Sequence, residues 1–89
     1  MITKENFTDV FNLISKEDIE TVFNSNDDFI CLQLYCFNAD SFAELNTINP
    51  NSTEAEEMQN NGALICDKDQ FLQLVTESKT TNQFLIELI

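Results

Sequence analysis

Histidine, arginine and tryptophan are absent from this chain, and glycine and proline occur once each in 89 residues. The missing histidine and arginine exclude a catalytic triad, a histidine base and a guanidinium clamp on phosphate. The single glycine excludes phosphate-cradling loops, which need several glycines. Pairs of carboxylates acting as acid and base are not excluded by composition, because sixteen acids allow many pairs. We therefore expect a protein that is not an enzyme and that carries no cofactor.

Long apolar runs are also missing. The longest contain four residues, Phe29–Leu32 and Ala63–Cys66 among them, which is too short for a transmembrane helix or the apolar core of a signal peptide. Three cysteines, an odd number in a chain without a secretion signal, predict free thiols in a reducing compartment. The expectation is a cytoplasmic protein that does not enter a membrane.

Positive charge is scarce, since four lysines face sixteen aspartates and glutamates and the formal net charge is −12. Proteins hold nucleic acid through lysine and arginine contacts to phosphate, and anionic membrane surfaces attract the same two residue types. Direct binding to DNA, RNA or an anionic membrane is therefore not expected. A charged partner is expected to present a basic surface.

Enough apolar side chains remain to build one core. Isoleucine, leucine, valine and phenylalanine make up 28 of the 89 residues, well above the fraction at which highly charged chains stay disordered. No linker or internal repeat interrupts the chain. We predict a single α+β domain over residues 1–89. Two N-terminal helices, a small and mostly antiparallel sheet of about three strands, and one or two later helices would share its core.

The N-terminal part predicts the two helices. Apolar residues recur there at helical spacing, which predicts a helix over residues 4–14 with Thr3 as its N-cap. The apolar positions are Phe7, Val10, Phe11 and Ile14. Ser15 and Asp18 have the spacing of a capping box for a second helix. That helix should end in the turn-forming run NSNDD at residues 24–28.

Residues 29–37, FICLQLYCF, are apolar on both alternating faces, which predicts a strand at the centre of the sheet. Cys31 and Cys36 would then point to opposite faces and lie about 16 Å apart, at about 3.3 Å per residue. That distance is too long for a disulfide. A zinc site is not expected either, because it needs four ligands and histidine is absent. We interpret these cysteines as core residues.

The middle of the chain predicts a second strand and an acidic helix. Residues 42–48 fit either an antiparallel strand or a capped helical turn, and we favour the strand. Thr53 and Glu56 have the spacing of a capping box that opens a helix over residues 54–60. Gly62 follows this helix where a left-handed residue is wanted.

The C-terminal part predicts a buried strand over residues 63–66 and a helix that Asp67 and Gln70 open with another capping box. The run DKD at the start of this helix resembles a calcium loop. However, glycine and glutamate are missing from the positions that such a loop requires. The tail, residues 80–89, fits a final helix or an edge strand equally well.

The acidic residues occur in clusters along the chain. Helix capping explains Asp18 and Asp67. The predicted helix over residues 54–60 has almost no apolar face, so capping alone does not explain its glutamates. We therefore predict that these glutamates face a partner, with the pair of aspartates before the central strand as a second contact. The predicted partner-binding residues are Glu54, Glu56, Glu57, Asp27 and Asp28.

The first functional hypothesis is an acidic inhibitor that mimics nucleic acid. Duplex DNA carries one charge per about 1.7 Å of its axis, so a net charge of −12 matches about 20 Å of duplex. Such a protein would block the basic surface of a nucleic-acid-binding protein or complex. In composition the chain resembles small phage-encoded antirestriction and anti-CRISPR proteins, which are short, acidic and free of catalytic residues.

The alternative is a non-catalytic binding module, such as an immunity protein, a small chaperone or an assembly subunit. Its interface would be apolar, with the acids at the rim. A third reading is that the acids only keep a small protein soluble. Salt dependence separates the first two hypotheses, because a complex formed through charge weakens steeply as ionic strength rises. The sequence also allows a homodimer.

Overall fold

The structure is a computed structural model that describes residues 2–37 and 40–88. Within these ranges it contains five helices and one three-stranded antiparallel sheet, so the predicted α+β class is confirmed. The elements in chain order are α1 (Phe7–Leu13), α2 (Lys16–Phe23), β1 (Phe29–Phe37), β2 (Asp40–Thr47), α3 (Thr53–Asn60), β3 (Leu64–Asp67), α4 (Lys68–Glu77) and α5 (Gln83–Glu87).

β1 is the central strand, with β2 on one side and β3 on the other. The strand prediction for residues 42–48 is confirmed, because β2 pairs with β1 along its whole length. β3 is shorter and pairs only with residues 29–32 of β1. Ile30 therefore lies between Thr47 of β2 and Cys66 of β3.

The main core lies on the face of the sheet that carries Ile30, Leu32 and Leu45, all of which are fully buried. Side chains from α1, α2, α4 and α5 pack against this face. At its centre the rings of Phe11 and Phe71 meet edge to face with 5.5 Å between their centroids, a favoured aromatic geometry. The opposite face is covered by α3 near Cys31, whose Sγ lies 3.7 Å from Sδ of Met58.

The start of α1 differs from the prediction. The helix begins at Phe7 rather than at residue 4, and Thr3 is not its N-cap. The Thr3 backbone N–H donates to Oδ1 of Asn6 at 2.7 Å, and the Ile2 N–H donates to the Gly62 carbonyl at 3.1 Å. The Thr3 N–H is thereby used in a local turn and the Ile2 N–H in a long-range contact. Both bonds compete with a helix that would begin at residue 4.

Two predicted capping arrangements are also corrected. Ser15 caps α2 as expected, but the Asp18 carboxylate accepts from the Leu45 N–H of β2 at 3.3 Å instead of completing a capping box. This bond satisfies a backbone donor at the outer edge of the sheet. α3 is capped by Ser52, one residue before the predicted Thr53. The Asp67 capping box of α4 is confirmed.

The tail forms a helix, α5, so three helices rather than one or two follow the β1–β2 hairpin in the described residues. Asn82 caps α5, and its side-chain amide donates to the carbonyls of Phe11 and Ile14 at 3.2 and 2.8 Å. Oδ1 of Asn12 accepts from the Asn82 N–H at 2.9 Å. These contacts with α1 fix the start of α5. Residue 89 of the predicted tail lies outside the described residues.

The three cysteines are free, but only Cys31 and Cys66 are buried. Burial raises the pKa of each of these two thiols to about 11. The interpretation of Cys36 as a core residue is wrong, because this residue is exposed and its Sγ lies 3.5 Å from Oγ of Ser41. Its position lies beyond the part of β1 that β3 covers.

Gly62 has a φ of 92°, which confirms the left-handed position predicted after α3. None of the helices in the described part of the chain combines the length and the apolar character needed to cross a membrane.

Candidate functional site

All three strands have an end on the same side of the sheet. β1 begins there, whereas β2 and β3 end there, because β1 is antiparallel to both. The register places Phe29 opposite Asp67, and Ile30 opposite Thr47. The turn before β1, the loop after β2 and the first turn of α4 therefore meet at this end of the sheet.

The turn before β1 and the start of α3 line a concavity of about 570 Å³. Three exposed carboxylates border it, those of Asp27, Asp28 and Glu54. α3 is fixed at this position by Ser52, whose hydroxyl accepts from the Ala55 N–H at 3.1 Å. Because Ser52 is the N-cap, Glu54 lies in the first turn of α3 and reaches the concavity.

A second concavity of about 370 Å³ lies between the start of β1 and the start of α4. It shares Asp28 and Phe29 with the first one, so the two form a continuous surface. Its carboxylates are those of Asp28, Asp67 and Asp69. The Asp67 carboxylate also caps α4 by accepting from the Gln70 N–H at 2.7 Å. We call Asp27, Asp28, Glu54, Asp67 and Asp69 together the acidic end.

Lys68 is a cation in the lining of the second concavity, and its ammonium group is held by a backbone carbonyl. Its Nζ donates to the Ser25 carbonyl at 2.9 Å and lies 5.9 Å from the centroid of the Phe23 ring. The Lys68 backbone N–H donates to the Asp28 carbonyl at 2.8 Å, which ties the start of α4 to the turn before β1. Lys68 thus stabilises the turn and forms no ion pair with the acidic end.

The carboxylates of the acidic end form no ion pair within the described residues. The single ion pair within residues 2–37 and 40–88 joins Lys16 and Glu20 on α2, with 3.7 Å between Nζ and the carboxylate oxygen. An exposed pair of this kind contributes little to stability. At the acidic end five carboxylates face one lysine, so this surface can gain from contact with a further cation.

The predicted partner-binding residues are only partly brought together. Asp27, Asp28 and Glu54 share the first concavity, whereas Glu56 and Glu57 are exposed on α3 and do not line it. The reason is helical geometry. Ala55 is buried, and at about 100° per residue the next two side chains turn away from the sheet.

Asp69, on the other side of Asp28, was not predicted as a contact residue. The sequence signal for it is weak, because α4 reaches the turn before β1 only through the β1–β3 pairing. Within the described residues, no group of three or more cysteine, aspartate or glutamate side chains is placed to hold a metal ion.

Comparison of the chain with protein-family models, with curated proteins and with solved structures finds no match.

Proposed function

We propose that this protein is a non-catalytic, acidic inhibitor that binds the basic surface of a nucleic-acid-binding protein through its acidic end. The partner's surface is one that nucleic acid would otherwise occupy. The main support is the acidic end itself: five carboxylates around two joined concavities, next to a lysine whose ammonium group is bound by a backbone carbonyl.

The size and charge of the molecule support this proposal. The chain carries a net charge of −12 within extents of 33 × 32 × 22 Å. A duplex segment of about 20 Å carries the same charge. A basic groove built for nucleic acid would therefore meet a comparable charge over a comparable length. Long-range attraction of this kind mainly raises the rate of encounter and selects partners by charge.

In composition the chain resembles small anti-defence proteins of phage, such as antirestriction and anti-CRISPR proteins. This resemblance supports the proposal. Such a role needs a stoichiometric ligand rather than a catalyst. The exposed acids would then serve binding, and the small core would serve only to hold the concave surface in place.

The experiment is capture of partners from a nuclease-treated lysate with the tagged chain, followed by washes at about 0.1 M and about 0.5 M salt, where the Debye length falls from about 10 Å to less than half of that. Nuclease removes proteins that are bridged by nucleic acid. A basic nucleic-acid-binding protein that leaves at the higher salt supports the proposal. A partner that stays bound supports the module with an apolar interface.

Matched charge reversals then locate the contact. One variant changes Asp27, Asp28 and Glu54 to lysine. The control changes Glu5, Glu77 and Glu87 to lysine, which are equally exposed and lie outside the acidic end. Both variants change the net charge by the same amount. We expect the first to lose capture and the control to keep most of it.

A further inference from the structure

The second half of β1 has a neighbouring strand on one side only. β3 pairs with residues 29–32 of β1 and then ends, and no other described residue forms a strand beside it. The Asp28 carbonyl accepts from Lys68 on the β3 side, and backbone groups alternate between the two sides of a strand. The backbone of Leu34 and Cys36 therefore faces this open side.

An exposed aromatic pair lies beside the open edge. Tyr35 of β1 is directly opposite Phe42 of β2. Their rings stack with 5.3 Å between centroids and an interplanar angle of 24°. Tyr35 is 37% exposed and Phe42 is 45% exposed, because α3 covers this face of the sheet only near Cys31. Large aromatic side chains that stay exposed are typical of binding surfaces.

Two carboxylates of β2 flank this pair on the same face of the sheet. Glu44 lies opposite Gln33, one pair along the same face, and Asp40 precedes Phe42 by two residues on that face. The Tyr35 hydroxyl donates to Oε1 of Gln33 at 2.5 Å. Partial burial, and then the Glu44 carboxylate, raise the pKa of Tyr35 above its ordinary value. The surface thus offers hydrogen-bond acceptors and ring faces to a cation.

We propose that this surface binds an extended, arginine-bearing segment of the basic partner. The inference rests on the proposed function in that it takes the partner to be basic. A guanidinium is planar, stacks on aromatic rings and bonds carboxylates in a fixed geometry. An extended segment adds hydrogen bonds to the open edge of β1, the mode of binding known as strand addition.

The charge of the surface decides between peptide and nucleic acid as its occupant. Exposed aromatic residues on a sheet also bind single-stranded nucleic acid, but such sites lie in basic grooves that hold the phosphates. Here the charged residues beside the aromatic pair on this face are Glu44 and Asp40. Phosphate would be repelled, whereas arginine is attracted.

The chain contains a built-in reporter for a binding experiment. Tyr35 is the only tyrosine and tryptophan is absent, so the intrinsic fluorescence above that of phenylalanine comes from this site alone. The probe is a short capped peptide in which arginine alternates with threonine. Alternation places all its guanidinium groups on one side of an extended strand. We expect a saturable change in tyrosine emission on titration of the wild-type chain.

Two variants test the contacts, and a third variant is the control. Phe42→Ala removes half of the aromatic pair, and Glu44→Gln removes the charge while keeping the shape of the side chain. Each should weaken peptide binding about fivefold, as expected for a contact worth about 1 kcal/mol. Phe84→Ala, an equally exposed phenylalanine on α5, should bind the peptide as the wild-type chain does.

Two modified probes test the edge and the choice of arginine. A peptide methylated on alternate backbone nitrogens loses the hydrogen bonds of strand addition and should bind about tenfold more weakly, since a net hydrogen bond contributes about 1 kcal/mol. A peptide with lysine in place of arginine should also bind more weakly, because an ammonium group lacks the planar face that stacks on rings.

The inference is overturned if the arginine peptide gives no saturable change, or if Phe42→Ala and Glu44→Gln both bind it as the wild-type chain does. Saturation by single-stranded DNA instead of the peptide also overturns it. Failure of the proposed function is visible separately. In that case the reversal of Asp27, Asp28 and Glu54 leaves partner capture intact, whereas the peptide titration depends on Tyr35 and its neighbours.

Discussion

Cys36 and Cys31 show how strongly the position along β1 controls the chemistry of a side chain. Cys31 is fully buried beneath α3, and burial together with the nearby Glu54 carboxylate raises the pKa of its thiol to about 11. Cys36 lies five residues further along the same strand and is exposed. Since a reagent must reach the sulfur and the thiolate is the reactive form, the buried Cys31 should react far more slowly than the exposed Cys36.

The prediction at this scale concerns thiol labelling. At pH 8 a thiol with a pKa of about 11 is thiolate in about one molecule in a thousand. With a chromogenic disulfide reagent at pH 8 we expect Cys36 to react at once. Cys31 and Cys66 should react only after addition of denaturant. Rapid labelling of all three cysteines in the native protein would contradict the burial described above.

At the scale of the element, α3 positions Glu54 and depends on a single capping residue. The Ser52 hydroxyl accepts from Ala55 N–H and donates to the Asn49 carbonyl at 2.7 Å. The helix has eight residues and only Ala55 is buried. Short helices are only marginally stable by themselves. We therefore expect the Ser52 cap to contribute much of the stability of α3.

We predict that Ser52→Ala destabilises the protein by about 1 kcal/mol, the usual cost of losing an N-cap side chain. Denaturant unfolding measures this change directly. Thr53→Ala is the matched control, since Thr53 is exposed and is not the cap. A loss of stability for Thr53→Ala that equals that for Ser52→Ala would show that the cap was assigned to the wrong residue.

The same elements show what local sequence determines. β1 was predicted with the bounds that the structure has, because its apolar residues on both faces are visible within nine residues. α4 was predicted from its capping box, which is also a local signal because Asp67 and Gln70 lie three residues apart. The predicted start of α1 was wrong and the tail was left open between helix and strand, since both depend on long-range bonds, to Gly62 and between Asn12 and Asn82. Those partners are distant in sequence.

In the candidate site, too, local sequence determines some features and tertiary structure determines others. Asp27 and Asp28 were predicted from their place before β1, and Glu54 from its place on an acidic helix. That these three share one concavity depends on the packing of α3 against the sheet. The exposure of Tyr35 depends on how far α3 covers this face of the sheet. Local sequence patterns identify such residues, but tertiary structure determines whether they lie close together and whether they are exposed.

At the scale of the whole molecule, charge opposes folding. Sixteen acids face four lysines, and only one ion pair forms in the described part of the chain. Repulsion among exposed carboxylates destabilises the compact state and is screened by salt. The thermal midpoint should therefore rise between about 0.01 M and about 0.15 M sodium chloride, as the Debye length falls from about 30 Å to about 8 Å.

Reversal of Asp27, Asp28 and Glu54 to lysine halves the net charge and should reduce this salt effect. Differential scanning calorimetry of both proteins at the two salt concentrations checks the prediction. A midpoint of the wild-type chain that falls with added salt would contradict the view that the acids are uncompensated.

The most direct test of the central claim is the comparison of the two triple reversals in partner capture at about 0.1 M salt. We predict that lysine at positions 27, 28 and 54 abolishes capture of a basic nucleic-acid-binding protein. Lysine at positions 5, 77 and 87, with the same change in net charge, should retain capture. Equal capture by the two variants would contradict a binding role for the acidic end.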